Sequence, residues 1–324
     1  MKRIRFSGAF ILMIALLAGN ATAQTRSVAG PERADALVLN TELVSVSISV
    51  TDKHGRYFTG LDRNAFAIFE DGIAQEIAFF GTDDGPASIG IVFDLSGSMK
   101  GERNQRAKEA LTRFIQSGHA EDEYSLVAFS DKAQTVMERV YDGEALTRVV
   151  GDSSAQGNTA LFDAVATAIE LVKKGRWSKR ALVIISDGED NRSRTTLRKV
   201  KQMVSEAGVA VYAVITEDSH LPRFLGAEDL RTLSAHTGGK AFTPETADQV
   251  IEVFDQIALE MRQRYSIGYA PTNVGFDGKW RRLKVKLTDP LGALKLSVQT
   301  KAGYYAVAGS PQFNKNGLTN ANEE

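Results

Sequence analysis

Between residues 89 and 262 of this 324-residue chain, short and nearly continuous apolar runs alternate with longer stretches of helical period. That alternation restricts the possible folds more than any other feature. Ile89-Gly90-Ile91-Val92-Phe93 has no polar side chain, so a strand built from it must be covered on both faces. Further strands read over 124–129, 134–137, 181–185 and 210–215, and helices over 104–116, 161–172, 195–206, 227–236 and 248–262. Buried strands separated by helices predict an α/β fold, a doubly wound and mostly parallel sheet. Ligands of such sheets bind outside the carboxyl ends of the strands, which is where chemistry is to be sought.

On either side the period changes. Val44, Val46, Ile48 and Val50 alternate with Ser45, Ser47 and Ser49, the two-residue repeat of a half-buried strand. Runs at 66–69 and 76–80 follow, with turn signals at Lys53-His54-Gly55 and Glu70-Asp71-Gly72. After Arg264, runs at 265–269, 282–287 and 294–305 are divided by Gly275-Phe276-Asp277-Gly278 and Asp289-Pro290-Leu291-Gly292. The α/β domain, 88–263, is thus bracketed by an N-terminal β module, 37–83, and a C-terminal β element, 264–308. Strand sets of about 45 residues are marginal alone, so the two are expected to share a sheet or sandwich.

Lys2, Arg3 and Arg5 precede an apolar run over 6–18 and the small residues Ala21-Thr22-Ala23, which predicts a signal peptide cleaved after residue 23. The run is short of the roughly 20 residues that span a bilayer. A flexible leader over 24–36 and a disordered, Asn-, Gly- and Glu-rich tail over 309–324 are expected at the two ends. The 39 Lys+Arg against 40 Asp+Glu leave a net charge of -1; removing residues 1–23 takes away three positive charges and no negative ones, giving -4. An exported chain so charged, periplasmic or extracellular and with no membrane span once matured, has no long-range field for nucleic acid or anionic lipid. The absence of cysteine excludes disulfides, thiolate metal sites and a thiol nucleophile. Any metal must be held by oxygen or by His54, His119, His220 and His236, which lack ligand spacing.

Three polar segments fall at predicted strand ends or in the loop opening a helix: Asp94-Leu95-Ser96-Gly97-Ser98, Gly157-Asn158-Thr159-Ala160 and Ser186-Asp187-Gly188-Glu189. Each has a bland reading. Asp94 could close a strand, Thr159 could cap the following helix, and Asp187-Gly188 is ordinary turn chemistry. Together they bring carboxylates and hydroxyls to one edge of the sheet, a donor set suited to a hard divalent cation such as Mg²⁺. Gly97 permits the bend that turns Ser96 and Ser98 inward.

Asp94-x-Ser96-x-Ser98, the separated Thr159 and the later Asp187 resemble the metal-ion-dependent adhesion site of von Willebrand factor type A domains, whose Rossmann-like fold agrees in length and element order with residues 88–263. Residues 44–80, Tyr265-Ser266-Ile267-Gly268-Tyr269 and Ala302-Gly303-Tyr304 resemble, less specifically, the β flanks of an exported bacterial family built around that domain. The resemblance implies that Ser96 and Ser98 bind the metal (Mg²⁺, or Mn²⁺ or Ca²⁺) through their hydroxyls. It implies that Thr159 binds directly or through water, and that Asp94 and Asp187 act largely through bridging waters, or directly when no ligand is present. A protein partner's Glu or Asp would complete the coordination, making the chain a protein-binding or adhesion module rather than an enzyme. It further implies that the helix over 248–262 can shift when coordination changes.

Two other functions compete with that reading. A phosphohydrolase using Asp94 as nucleophile needs a second acid nearby, and the position two residues on is Ser96. It also calls for a basic residue to stabilise phosphoryl charge, which neither carboxylate-bearing segment contains. A structural scaffold for envelope assembly would differ from the adhesion reading only in its partner.

Overall fold

The computed structural model describes residues 43–151, 155–216, 225–273, 275–288, 295–306 and 312–313. The expected signal peptide and leader, and the expected tail apart from Gln312 and Phe313, lie outside them. Among the described residues no helix is long and apolar enough to cross a membrane.

The chain starts with β1 (Leu43–Thr51), β2 (Phe66–Glu70), β3 (Ile73–Gln75) and β4 (Ile77–Asp83). It then enters the α/β region through β5 (Ser88–Asp94), α1 (Glu102–Gln116), β6 (Glu123–Phe129), β7 (Ala133–Val140), α2 (Gly143–Gly151) and α3 (Leu161–Lys173). That region closes with β8 (Arg180–Ser186), α4 (Leu197–Ala207), β9 (Ala210–Ile215), α5 (Leu225–Thr237), β10 (Ala241–Phe242) and α6 (Ala247–Arg262). The last strands are β11 (Arg264–Tyr269), β12 (Trp280–Leu287), β13 (Ser297–Thr300), β14 (Gly303–Tyr305) and β15 (Gln312–Phe313).

The central sheet runs β10-β9-β8-β5-β6-β7, parallel throughout except for β7 at one edge. Every residue of β5 is buried, because its side chains feed two cores. Ile89, Ile91 and Phe93 pack with Leu111 and Phe114 of α1 and Phe254 and Ile257 of α6. Val92 faces the other way with Val165 of α3, Val200 of α4 and Leu230 of α5. Helices on both faces of a mostly parallel sheet make this the doubly wound α/β fold expected from the apolar runs.

The flanks form two antiparallel sheets, β13-β1-β11-β4 with β15 alongside β1, and β14-β12-β2-β3. N-terminal and C-terminal strands pair in both: Val46 lies opposite Ile267, and Ile68 opposite Val285. One apolar cluster joins the sheets, with Val46, Ile48 and Ile267 meeting Phe66, Ile68 and Leu283. The run read as one strand over 294–305 is two strands in different sheets, because Ala302 between them donates its N–H to His236 O, 3.1 Å away. Gln312 and Phe313, assigned to a disordered tail on composition, pair with Val44 and Leu43.

Arg264 opens β11 with only 4% of its surface exposed. It donates from Nε to Ser47 Oγ at 2.8 Å, from Nη1 to Tyr212 Oη at 2.8 Å and Glu260 Oε1 at 3.3 Å, and from Nη2 to Gly238 O at 3.0 Å and Ser47 O at 3.2 Å. One side chain therefore ties β1 to β9, to α6 and to the turn after α5. Glu260, equally buried, also accepts from Tyr57 Oη at 2.7 Å.

Candidate metal centre

β5 and β8 are neighbours, and the winding of the sheet reverses between them: the chain steps outward from β5 to β6 and β7, then returns to the opposite side for β8, β9 and β10. Loops leaving the carboxyl ends of such a pair diverge toward opposite helical layers and leave a crevice. Asp94 ends β5, and Ser186 ends β8 with Asp187 directly after it. Asp94, Ser96, Thr159 and Asp187 are all buried and Ser98 is exposed, so the group has one open side.

The Asp94 carboxylate accepts from Ser96 N at 2.8 Å on Oδ1 and from Ser186 Oγ at 2.5 Å on Oδ2. Ser186 Oγ in turn accepts from Gly188 N at 3.0 Å. A single hydroxyl thus fastens the end of β5 to the loop after β8. Asp187 Oδ1 accepts from Glu189 N at 3.1 Å, so its turn role and a ligand role coexist. Ser96 Oγ and Ser98 Oγ lie 3.0 Å apart.

Thr159 is brought in by main-chain bonds. Gly97 N donates to Gly157 O at 3.0 Å and Gln156 N to Leu95 O at 2.6 Å, clamping the Thr159 loop to the Ser96 loop. Thr159 N donates to Asn191 Oδ1 at 3.0 Å, and Thr159 O accepts from Asn191 N and Arg192 N, each at 3.0 Å. The three loops are therefore linked pairwise. Thr159 does not cap α3, whose N-cap is Ala160 without a side-chain bond.

Ser186 and Asn191 are two structural partners that sequence reasoning did not single out. Ser186 does precede Asp187 in the third segment, but no spacing rule points a hydroxyl at a carboxylate 92 residues away. Asn191 bonds a residue 32 positions back and reads in sequence as one more polar loop residue.

Burial pushes the Asp94 carboxyl up to about 6, against the lowering effect of the hydrogen bonds from Ser186 and Ser96 and with a further rise from the charge of Asp187. A cation favours the ionised form of such a carboxyl. The donors present are carboxylate and hydroxyl oxygens, and among the described residues no three His, Asp or Glu side chains gather into a cluster. The 3.0 Å separation of the two serine hydroxyls matches the roughly 3.0 Å between adjacent oxygens of an octahedron with bonds of about 2.1 Å. These residues fit a hard divalent cation held by few charges.

Behind the site, Asp163 on α3 accepts from Thr195 N at 2.9 Å and Arg194 N at 3.1 Å, and its own N–H donates to Ser193 Oγ at 3.0 Å. Burial raises its carboxyl, but the bonds from Thr195 and Arg194 outweigh that and hold it below the usual range. A carboxyl lowered on folding contributes stability that is complete above its unfolded value and disappears as pH falls through its folded value. Asp163→Asn is expected to cost about 1 kcal/mol at neutral pH, with the difference from the parent vanishing in acid. Urea unfolding at both pH values checks this; a gap that persists in acid removes the charge from the explanation.

Residues 89–189, a span holding Asp94, Ser96, Ser98, Thr159 and Asp187, match the sequence model of the von Willebrand factor type A domain. The chain contains a von Willebrand factor type A domain. Inter-alpha-trypsin inhibitor heavy chain H4 of Sus scrofa is 27% identical over 132 residues, 38% of this chain and 14% of that protein. An uncharacterized protein of Synechocystis is 29% identical over 108 residues, 32% of this chain and 26% of its own length. The chain thus aligns with only 14% and 26% of the length of these two relatives. Among solved structures, a von Willebrand factor type A protein from Catenulispora acidiphila matches with a TM-score of 0.48 at 14% identity, over 82% of this chain and 75% of that one. Proximal thread matrix protein 1 of the mussel byssus, with a zinc-occupied metal-ion-dependent adhesion site, matches with a TM-score of 0.48 at 17% identity, over 59% of this chain and 49% of that one.

Proposed function

We propose that this chain is an exported binding protein whose von Willebrand factor type A domain holds Mg²⁺, or Mn²⁺ or Ca²⁺, through Asp94, Ser96, Ser98, Thr159 and Asp187 and so captures a Glu or Asp of a protein partner. The observation carrying this reading is the pairwise bonding of three loops at the winding reversal, with two serine hydroxyls 3.0 Å apart beside a buried carboxylate. Two carboxylates offset a divalent charge, and hydroxyls add none, so the ion when bound supplies an electrophilic position for an incoming carboxylate. Ser186 keeps Asp94 oriented and Asn191 keeps Thr159 in place, so the donors are organised before any ligand arrives. Binding is favoured over phosphoryl transfer because Asp94 is followed two residues on by Ser96 in place of a second acid. The export assignment rests on the basic and apolar N-terminal pattern alone.

Titration of the purified chain with Mn²⁺, followed by paramagnetic resonance, tests the metal. Saturable binding that Mg²⁺ displaces and that Asp187→Ala abolishes is expected. Capture of partners from an envelope extract should then require Mg²⁺ and fail in EDTA. Binding indifferent to EDTA and to Asp187→Ala would sink the reading, and phosphatase turnover abolished by Asp94→Asn would replace it with the enzymatic one.

A further inference from the structure

A cleft of about 530 Å³ lies between the end of α5 with β10 on one side and β12 with β13 on the other, away from the metal site. Lys240, Lys284, Lys301 and Arg231 line it, and among the described residues no acidic one does. Arg231 is already engaged, donating to Thr243 Oγ1 at 3.0 Å and lying 3.8 Å from Glu228. The ammonium groups of the three lysines have no ion pair or hydrogen bond among the described residues. Lys240 stands 5.0 Å from the ring of Phe242 and Lys301 5.8 Å from that of Tyr304, contacts that position an ammonium without neutralising it. Burial pushes the Lys301 ammonium down to about 8, as expected of a cation with no counter-charge.

The walls of this cleft are sheet edges. β10 ends the central sheet and β13 ends its own. β12 is paired with β14 only over Trp280, Arg281 and Arg282, while its other edge runs with β2 from Leu283 to Leu287. From Lys284 onward, the β14-side edge of β12 has no strand beside it among the described residues. Open edges offer main-chain donors and acceptors to an extended chain. The walls are also firmly joined: Gln299 Nε2 donates to Gly239 O and Ala302 N to His236 O, and the His236 ring stacks on Trp280 with centroids 5.1 Å apart. A preformed cleft avoids the ordering cost of closing on its ligand.

We propose that this cleft is a second, metal-independent docking site for an extended acidic peptide segment of a partner protein, its carboxylates meeting Lys240, Lys284 and Lys301 and its main chain meeting an exposed sheet edge. Unpaired cations without lining acids among the described residues supply the charge complementarity, and the edges favour a peptide over a compact anion, which brings no donors for the main-chain carbonyls of an open edge. The site does not depend on the metal reading, since none of its residues belongs to the adhesion loops.

The test is carried out in EDTA, which removes any contribution of the metal site. A fluorescein-labelled peptide of alternating Glu and Thr is titrated with the full chain and followed by anisotropy. Saturable binding is expected that weakens steeply with salt and falls at least about tenfold in Lys284→Glu and in the double variant Lys240→Glu/Lys301→Glu. Lys284 is exposed, so its variant should retain the parent circular dichroism and melting temperature. N-methylation of alternate peptide nitrogens should also weaken binding, because it removes main-chain donors. The proposal is overturned if the Lys-Thr counterpart binds equally well, if folded Lys284→Glu binds as the parent does, or if inorganic phosphate occupies the cleft while the peptide does not bind.

Discussion

Arg264→Met is expected to lower stability by about 3–5 kcal/mol, the range for breaking a buried ion pair by removing one partner. Methionine preserves much of the volume, so the loss would be electrical rather than steric. Glu260, 1% exposed, would keep only the Tyr57 hydroxyl, and Tyr212 Oη, Gly238 O and both oxygens of Ser47 would each lose a donor. The double variant Arg264→Met/Glu260→Met should recover most of the loss, since a buried pair replaced whole by apolar residues is often neutral. Urea midpoints for the two single variants and the double complete the cycle. A cost below about 1 kcal/mol for Arg264→Met would mean that the network is solvated and does not hold the two β flanks to the α/β domain.

Gly226→Ala is expected to damage the proposed metal site from a distance. A Cβ at Gly226 would lie 1.6 Å from Gly188 O and 2.3 Å from Gly188 C, so backbone meets backbone and no flexible side chain can give way. Gly188 itself sits at φ +88°, a conformation that side chains rarely adopt. The loop after β8 or the start of α5 must therefore move. Gly188 N is the donor that positions Ser186, and Ser186 in turn bonds Asp94, so displacement passes directly to both carboxylates. We expect about 1–3 kcal/mol of destabilisation and a loss of Mn²⁺ affinity of about 10–100-fold, as for other supporting residues of metal sites. Gly85→Ala, where an added Cβ meets nothing within 4 Å, is the control. Unchanged Mn²⁺ affinity in Gly226→Ala would show that the loop relaxes without disturbing its donors.

What could be read from the amino-acid order follows from how far each signal reaches. β5 was visible because all seven of its positions are buried, which writes an unbroken apolar run, and the carboxylate at its end follows immediately. α2 was not: it sends only Leu146 and Val150 into the core, too few for a period, and Asp142-Gly143 reads as a turn. β10 is two residues long and exists because β9 lies beside it. Arg264 looks like a solvated charge at a strand boundary; its burial depends on Ser47 and Tyr212, 217 and 52 residues away. The same holds in the site, where Asp94, Ser96 and Ser98 form one local pattern while Ser186 and Asn191 act through bonds that only folding creates.

The pairing of β1 with β11 and β13 has a bearing on how the protein is made. All strands of the central sheet lie between Ser88 and Phe242 and its last helix ends at Arg262, so a nascent chain can close that sheet while the later β segments are still being synthesised. β1 has no such option, because its first ladder partner is more than 200 residues away. Its Val44-Val46-Ile48-Val50 face then waits beside two unpaired edges, the kind of strand that recruits other chains. Among the described strands, β1 needs its edges shielded from other chains until translation reaches Thr300.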